Sequence, residues 1–115
     1  MDLREFYTEV QGDYNEACKR MINEQIAGKF VRKFPSDPTM AMLREAIAAG
    51  DIELSFRAVH TLKGLTANLA FSKLFEAAWE LTEQLRPRLE PADAELFAAL
   101  EEEYQHTIDA IAKLS

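Results

Sequence analysis

A chain of 115 residues, 48% hydrophobic and 29% charged, has the length and balance of one globular domain. It carries 20 acidic against 13 basic side chains, a formal net charge of −7. Such a surface repels nucleic acid and anionic lipid, so neither is expected as a partner. No apolar run approaches the roughly 18–20 residues that span a bilayer. Met1-Asp2-Leu3-Arg4-Glu5 lacks the basic start and apolar block of a signal peptide. The one cysteine, Cys18, excludes an internal disulfide, and the cytoplasm is the expected compartment.

Every segment reads as helix. Leu3, Phe6, Tyr7 and Val10 form a short amphipathic helix, with Asp2 as its N-cap and Gly12 as its stop. Asp13-Tyr14-Asn15-Glu16 has the form of a capping box, and Ala17, Cys18, Met21 and Ile22 follow on one face. Cys18 on that stripe reads as a small core residue. Asn23 caps again, and Ile26, Phe30 and Phe34 recur at i, i+4 and i+8 until Pro35 ends the run. Asp37-Pro38 is an N-cap with proline at the first helical position. Met40, Leu43 and Ile47 give the next helix its apolar side, and Gly50 fits its C-terminal left-handed position.

Asp51 starts a central helix that runs to about Leu69, with Phe56, Val59, Leu62 and Leu69 as its buried stripe. Ser72 is placed to cap the next helix, whose inner face carries Leu74, Ala78, Leu81 and Leu85 and which Pro87 closes. Beyond Pro91 the last helix carries Phe97, Leu100, Tyr104, Ile108 and Ile111. Trp79 and the phenylalanines at helical spacing are expected in the core. No strand pattern or internal repeat competes. Connections of about two to six residues between the longest helices favour antiparallel neighbours. The expected fold is all-α: an antiparallel four-helix bundle with additional short N-terminal helices, residues 1–115 forming one domain. With no second long apolar stripe, a monomer is expected.

Catalytic constellations are missing. There is no glycine-rich phosphate loop and no Ser/His/Asp or Cys/His arrangement. A di-metal bundle needs two Glu-x-x-His motifs and two further carboxylates. Glu103-Tyr104-Gln105-His106 supplies one, but Arg57 stands three residues before His60, so the second fails. No metal site and no cofactor are expected, and His106 reads as a surface histidine.

His60 differs. His60, Lys63, Gly64 and Ala67 recur at i, i+3, i+4 and i+7, on a strip beside the buried stripe. A glycine inside a strong helical pattern costs about 1 kcal/mol relative to alanine, so its presence points to something that must come close. An imidazole that protrudes, an ammonium one turn away and a gap beside both suit a phosphoryl carrier. A carrier needs no nucleotide, metal or catalytic acid of its own.

The stretch His60-Thr61-Leu62-Lys63-Gly64, continuing through Ala67-Asn68-Leu69, resembles the histidine-containing phosphotransfer (HPt) domain family of two-component phosphorelays. A looser resemblance in helix layout spans nearly the whole chain. The resemblance implies that His60 is phosphorylated, at Nε2, that Lys63 contacts the phosphoryl group, and that Gly64 admits the partner. It implies a docking face of Arg57, His60, Lys63, Gly64 and Ala67, with Phe71 just beyond. Family members often carry a polar residue on the next helix that hydrogen-bonds the histidine; its spacing points to Thr82. One departure is Ala70, where the family usually has glycine. The implied partners are a receiver domain bearing an aspartate, which supplies the Mg²⁺, or a hybrid histidine kinase. A bundle adaptor that docks on the same partners without being phosphorylated is the alternative.

Overall fold

In this computed structural model, residues 1–115 form seven α-helices: α1 (Leu3–Glu9), α2 (Tyr14–Arg20), α3 (Glu24–Lys33), α4 (Thr39–Ala48), α5 (Ile52–Asn68), α6 (Ser72–Leu85) and α7 (Ala94–Ile111). A 3-10 turn at Phe34–Ser36, with Pro35 in it, joins α3 to α4.

Side-chain caps set most of the starts. Asp2 accepts the Glu5 N–H at 2.8 Å while Glu5 accepts that of Asp2 at 3.0 Å, closing a capping box at α1. Asp13, Asn23, Asp51 and Asp93 each accept the N–H three residues on, and so open α2, α3, α5 and α7. At α4, Pro38 is the cap residue and the Asp37 carboxylate accepts from the Thr39 N–H at 2.8 Å, one residue beyond the expected start. Ser72 is not the cap of α6. It is the first helical residue; Phe71 holds the cap position and no side chain caps the end. Burial of Phe71, 1% exposed, overrides the local preference of serine.

Four helices end in left-handed turns, at Gln11 (φ 54°), Ile22 (φ 79°), Gly50 (φ 69°) and Ala70 (φ 55°). Gly50 does what its sequence position requires. Gly12, one residue past the left-handed turn, serves close packing instead: a Cβ there would lie 2.7 Å from the Ala70 carbonyl oxygen and 2.8 Å from the Tyr7 ring. At the end of α5 the Ala70 N–H donates to Ala67 O at 3.1 Å and the Phe71 N–H to Thr66 O at 3.0 Å. These are the two bonds of a Schellman turn, here built on alanine. The first loop locks it from outside. The Asp13 N–H donates to Ala70 O at 2.9 Å, and the buried Tyr7 hydroxyl donates to Leu69 O at 2.6 Å.

Tyr7→Phe removes that buried donor and is expected to lower stability by about 1–2 kcal/mol, read as a lower denaturant midpoint at unchanged slope. Burial also raises the pKa of the Tyr7 phenol above its ordinary value of about 10. Its contribution is therefore full below about pH 10 and lost as pH rises further. The variant should show a shallower alkaline loss than the wild type.

α4 packs on α5, α5 on α6 and α6 on α7. The turns into and out of α5 are three residues each, 49–51 and 69–71, which makes these neighbours antiparallel. The α6–α7 connection is longer than expected, running from Arg86 to Asp93. At one end of the bundle Phe71 is ringed by Phe6, Tyr7 and Phe34, with centroids 5.6, 5.8 and 5.4 Å away. Phe34 passes the cluster on to Tyr104 of α7 at 5.7 Å. The short N-terminal helices thus cover one end, as the hydrophobic pattern suggests.

Two aromatic residues expected in the core are outside it: Trp79 is 48% exposed and Phe30 45% exposed. Each sits one position from the stripe that is buried. On α6 the stripe is Leu74, Ala78, Leu81 and Leu85; on α3 it is Ala27 and Val31, leading to Phe34. One residue is a rotation of about 100° on a helix, enough to turn a side chain from core to solvent. Cys18 is half-buried.

Candidate functional site

The central helix fixes the site by its own periodicity. Phe56, Val59, Leu62 and Leu69 are buried, together with Ala58 and Thr66, and hold that face of α5 against the bundle. His60 therefore stands outward and is exposed. Gly64 is exposed one turn on, Lys63 and Ala67 are half-buried, and Arg57 is exposed one turn back. Nothing inside the molecule requires the glycine, since a Cβ built on Gly64 would meet no atom within 4 Å.

The imidazole rests against an aromatic ring. Phe56 and His60 have centroids 5.7 Å apart and planes tilted by 34°. Phe56 is in turn covered by guanidinium groups from the α6–α7 connection: Arg88 lies 3.6 Å and Arg86 5.5 Å from its ring centre. Glu53 joins this group to α5, paired with Arg88 at 3.0 Å and with Arg57 at 3.1 Å. Hydrogen bonding to Arg88, then the charges of both arginines, hold the Glu53 carboxyl below the usual carboxylate range. On α6, Glu83 pairs with Arg86 at 2.7 Å and is held low by Arg86 first, with Lys63 adding to the effect. Arg57, Lys63, Arg86 and Arg88 thus stand against Glu53 and Glu83. In this group four cations face two carboxylates, on a chain of net charge −7.

Of the residues singled out in the sequence, α5 brings Arg57, His60, Lys63, Gly64 and Ala67 onto one side. Thr82 does not join them. It is fully buried, and its hydroxyl donates to Ala78 O at 2.7 Å within α6. Its one proton is used there, so it donates no hydrogen bond to His60. Phe71 is also not part of a docking face, being the centre of the aromatic cluster. What the sequence reading missed is Arg86 and Arg88, which lie in a connection without periodicity, and the second role of Phe56. The latter was legible as spacing, since Phe56 is one turn before His60 on the same helix. His106 is exposed on α7. No three His, Cys, Asp or Glu side chains gather as a metal-binding group.

The family model of the Hpt domain matches residues 30–110. The chain belongs to the Hpt domain family. The match takes in α4, α5, α6 and nearly all of α7, with His60 inside it. A search of curated proteins and a search of solved structures each returned no match. Membership gives this Hpt domain a phosphotransfer role in two-component phosphorelays, as a phosphocarrier interacting with receiver or kinase components. No helix of this Hpt domain is long and apolar enough to cross a membrane.

Proposed function

We propose that this Hpt domain carries the phosphoryl group on His60, taking it from the aspartyl phosphate of one receiver domain and giving it to the aspartate of another. The observation that carries this reading is the exposed imidazole on an outward strip of α5, beside a glycine with no packing role. The Nε2 lone pair attacks phosphorus in line as the P–O bond to the receiver carboxylate breaks and the carboxylate leaves with the bonding pair. The Nδ1 proton stays on the ring. The resulting positive ring is a good leaving group, which lets the same step run in reverse onto a second aspartate.

Arg57, Lys63, Gly64 and Ala67 form the surface against which the receiver docks. Lys63 offsets part of the roughly 1.5 to 2 negative charges that a phosphoryl group brings. The domain, residues 1–115, works as a monomer and supplies no cofactor; the Mg²⁺ of the transfer is the receiver's.

The test mixes the protein with a phosphorylated receiver and follows the label. Wild type should acquire acid-labile, base-stable phosphate, and His60→Gln none. Lys63→Ala should slow loading or shorten the lifetime of the phosphorylated form. Wild type that binds the receiver without taking label would contradict the carrier reading and favour an adaptor.

A further inference from the structure

Arg88 lies in the connection between α6 and α7 in the left-handed region, φ 54°, a conformation that residues with a Cβ rarely adopt. Several contacts hold it there. Its backbone N–H donates to Leu85 O at 2.9 Å, its Nη1 to Arg86 O at 2.8 Å, and its Nε to Glu53 Oε2 at 3.0 Å. Its guanidinium carbon is 3.6 Å from the centre of the Phe56 ring. All of this directs a loop side chain back onto α5.

Phe56 is only 8% exposed, so the bundle fixes its backbone and Arg88 covers its ring. The next partner of that ring is the imidazole of His60, 5.7 Å away. An exposed side chain on a helix otherwise moves among several staggered rotamers. The groups beside it on α5 make no hydrogen bond to it. The Thr61 hydroxyl donates to Arg57 O at 3.0 Å, and Gly64 has no side chain. Phe56 is the aromatic ring that packs against the imidazole.

We propose that Arg88 is a positioning residue for His60: tied to Glu53 and stacked on Phe56, it holds that ring against the imidazole and narrows it to the rotamers that present a nitrogen to the receiver. The inference rests on His60 as the phosphoacceptor. In-line transfer is sensitive to misplacement of the attacking atom, so losing the restraint acts on the transfer step itself.

The experiment uses the full chain as Arg88→Gln, Phe56→Leu and the double variant, each checked for folding by circular dichroism. Two readouts are taken. One is the ring-proton NMR of His60 in the unphosphorylated protein, where stacking on Phe56 gives a ring-current shift. The other is the rate of phosphoryl transfer from a phosphorylated receiver, at low and at saturating receiver concentration.

Arg88→Gln is expected to collapse the ring-current shift and to lower the saturating rate about three- to tenfold with half-saturation unchanged. The double variant should lose little more than either single one, because all act through one contact. Unmoved His60 ring signals would overturn the proposal. So would a loss seen only at low receiver concentration and erased by salt, which would make Arg88 a steering charge. The NMR arm needs no phosphate, so it decides the orientation even if wild type takes no label, an outcome that instead removes His60 as the acceptor.

Discussion

Phe71→Ala lowers the stability of this Hpt domain by about 3–5 kcal/mol, the range for truncating a buried phenylalanine. The high end of that range is expected for three reasons. Phe71 is 1% exposed, so the full side chain is withdrawn from the core. Its ring meets Phe6, Tyr7 and Phe34 at centroid distances of 5.4 to 5.8 Å, two of them edge-on, and such pairs add to simple burial. Its partners come from α1, from the 3-10 turn and, through Phe34, from α7, so a void there has walls on several elements that cannot all move in together. A small domain holds about 5–15 kcal/mol in total, so the variant should be close to unfolding at 37 °C. Equilibrium urea unfolding at unchanged slope measures it. A loss under about 1.5 kcal/mol would mean that the cluster collapses around the gap and that the N-terminal helices are held by something else.

Gly64→Gln is expected to do the opposite: keep or raise stability and damage transfer. Glycine in an exposed helix interior is about 1 kcal/mol worse than a good helix former, and a Cβ at position 64 has open space around it. The melting temperature should therefore hold or rise. Transfer from a phosphorylated receiver should fall about 10- to 100-fold, because the new side chain stands one turn from His60 where the partner backbone has to come near. Gly64→Ala should fall between, with the smaller obstruction. A Gly64→Gln protein that transfers at the wild-type rate would remove the steric explanation for the glycine.

Local interactions explain what could be read ahead. Asp2, Asp13, Asn23 and Asp51 cap helices using groups three residues away, so the sequence itself holds the information. The buried stripe of α5 was legible because four apolar positions share one face, and it turned His60 outward. Choices made by packing were not legible. The stripe through Ala78 leaves Trp79 about 100° round the helix, so it was the apolar character of Trp79, not the spacing of α6, that pointed to the core. Ser72 is the better cap by local chemistry, but Phe71 takes that position because the core needs its ring. Thr82 fell on the right helix with the wrong azimuth, facing the core. Ala70 takes the left-handed turn that glycine would adopt, held by bonds from Asp13 and Tyr7, both distant in sequence. The arginines over Phe56 come from the α6–α7 connection, where no repeat marks a contact.

The site of phosphorylation is the most direct question to put to the molecule, and the chain offers an internal control because it has two histidines, both exposed. Loading from a phosphorylated receiver can be followed by ³¹P NMR on wild type, His60→Gln and His106→Gln in parallel. The expected result is one N-phosphoryl resonance that His106→Gln keeps and His60→Gln abolishes. A resonance that survives in His60→Gln and disappears in His106→Gln, or no resonance in wild type, would contradict the role given to the exposed strip of α5.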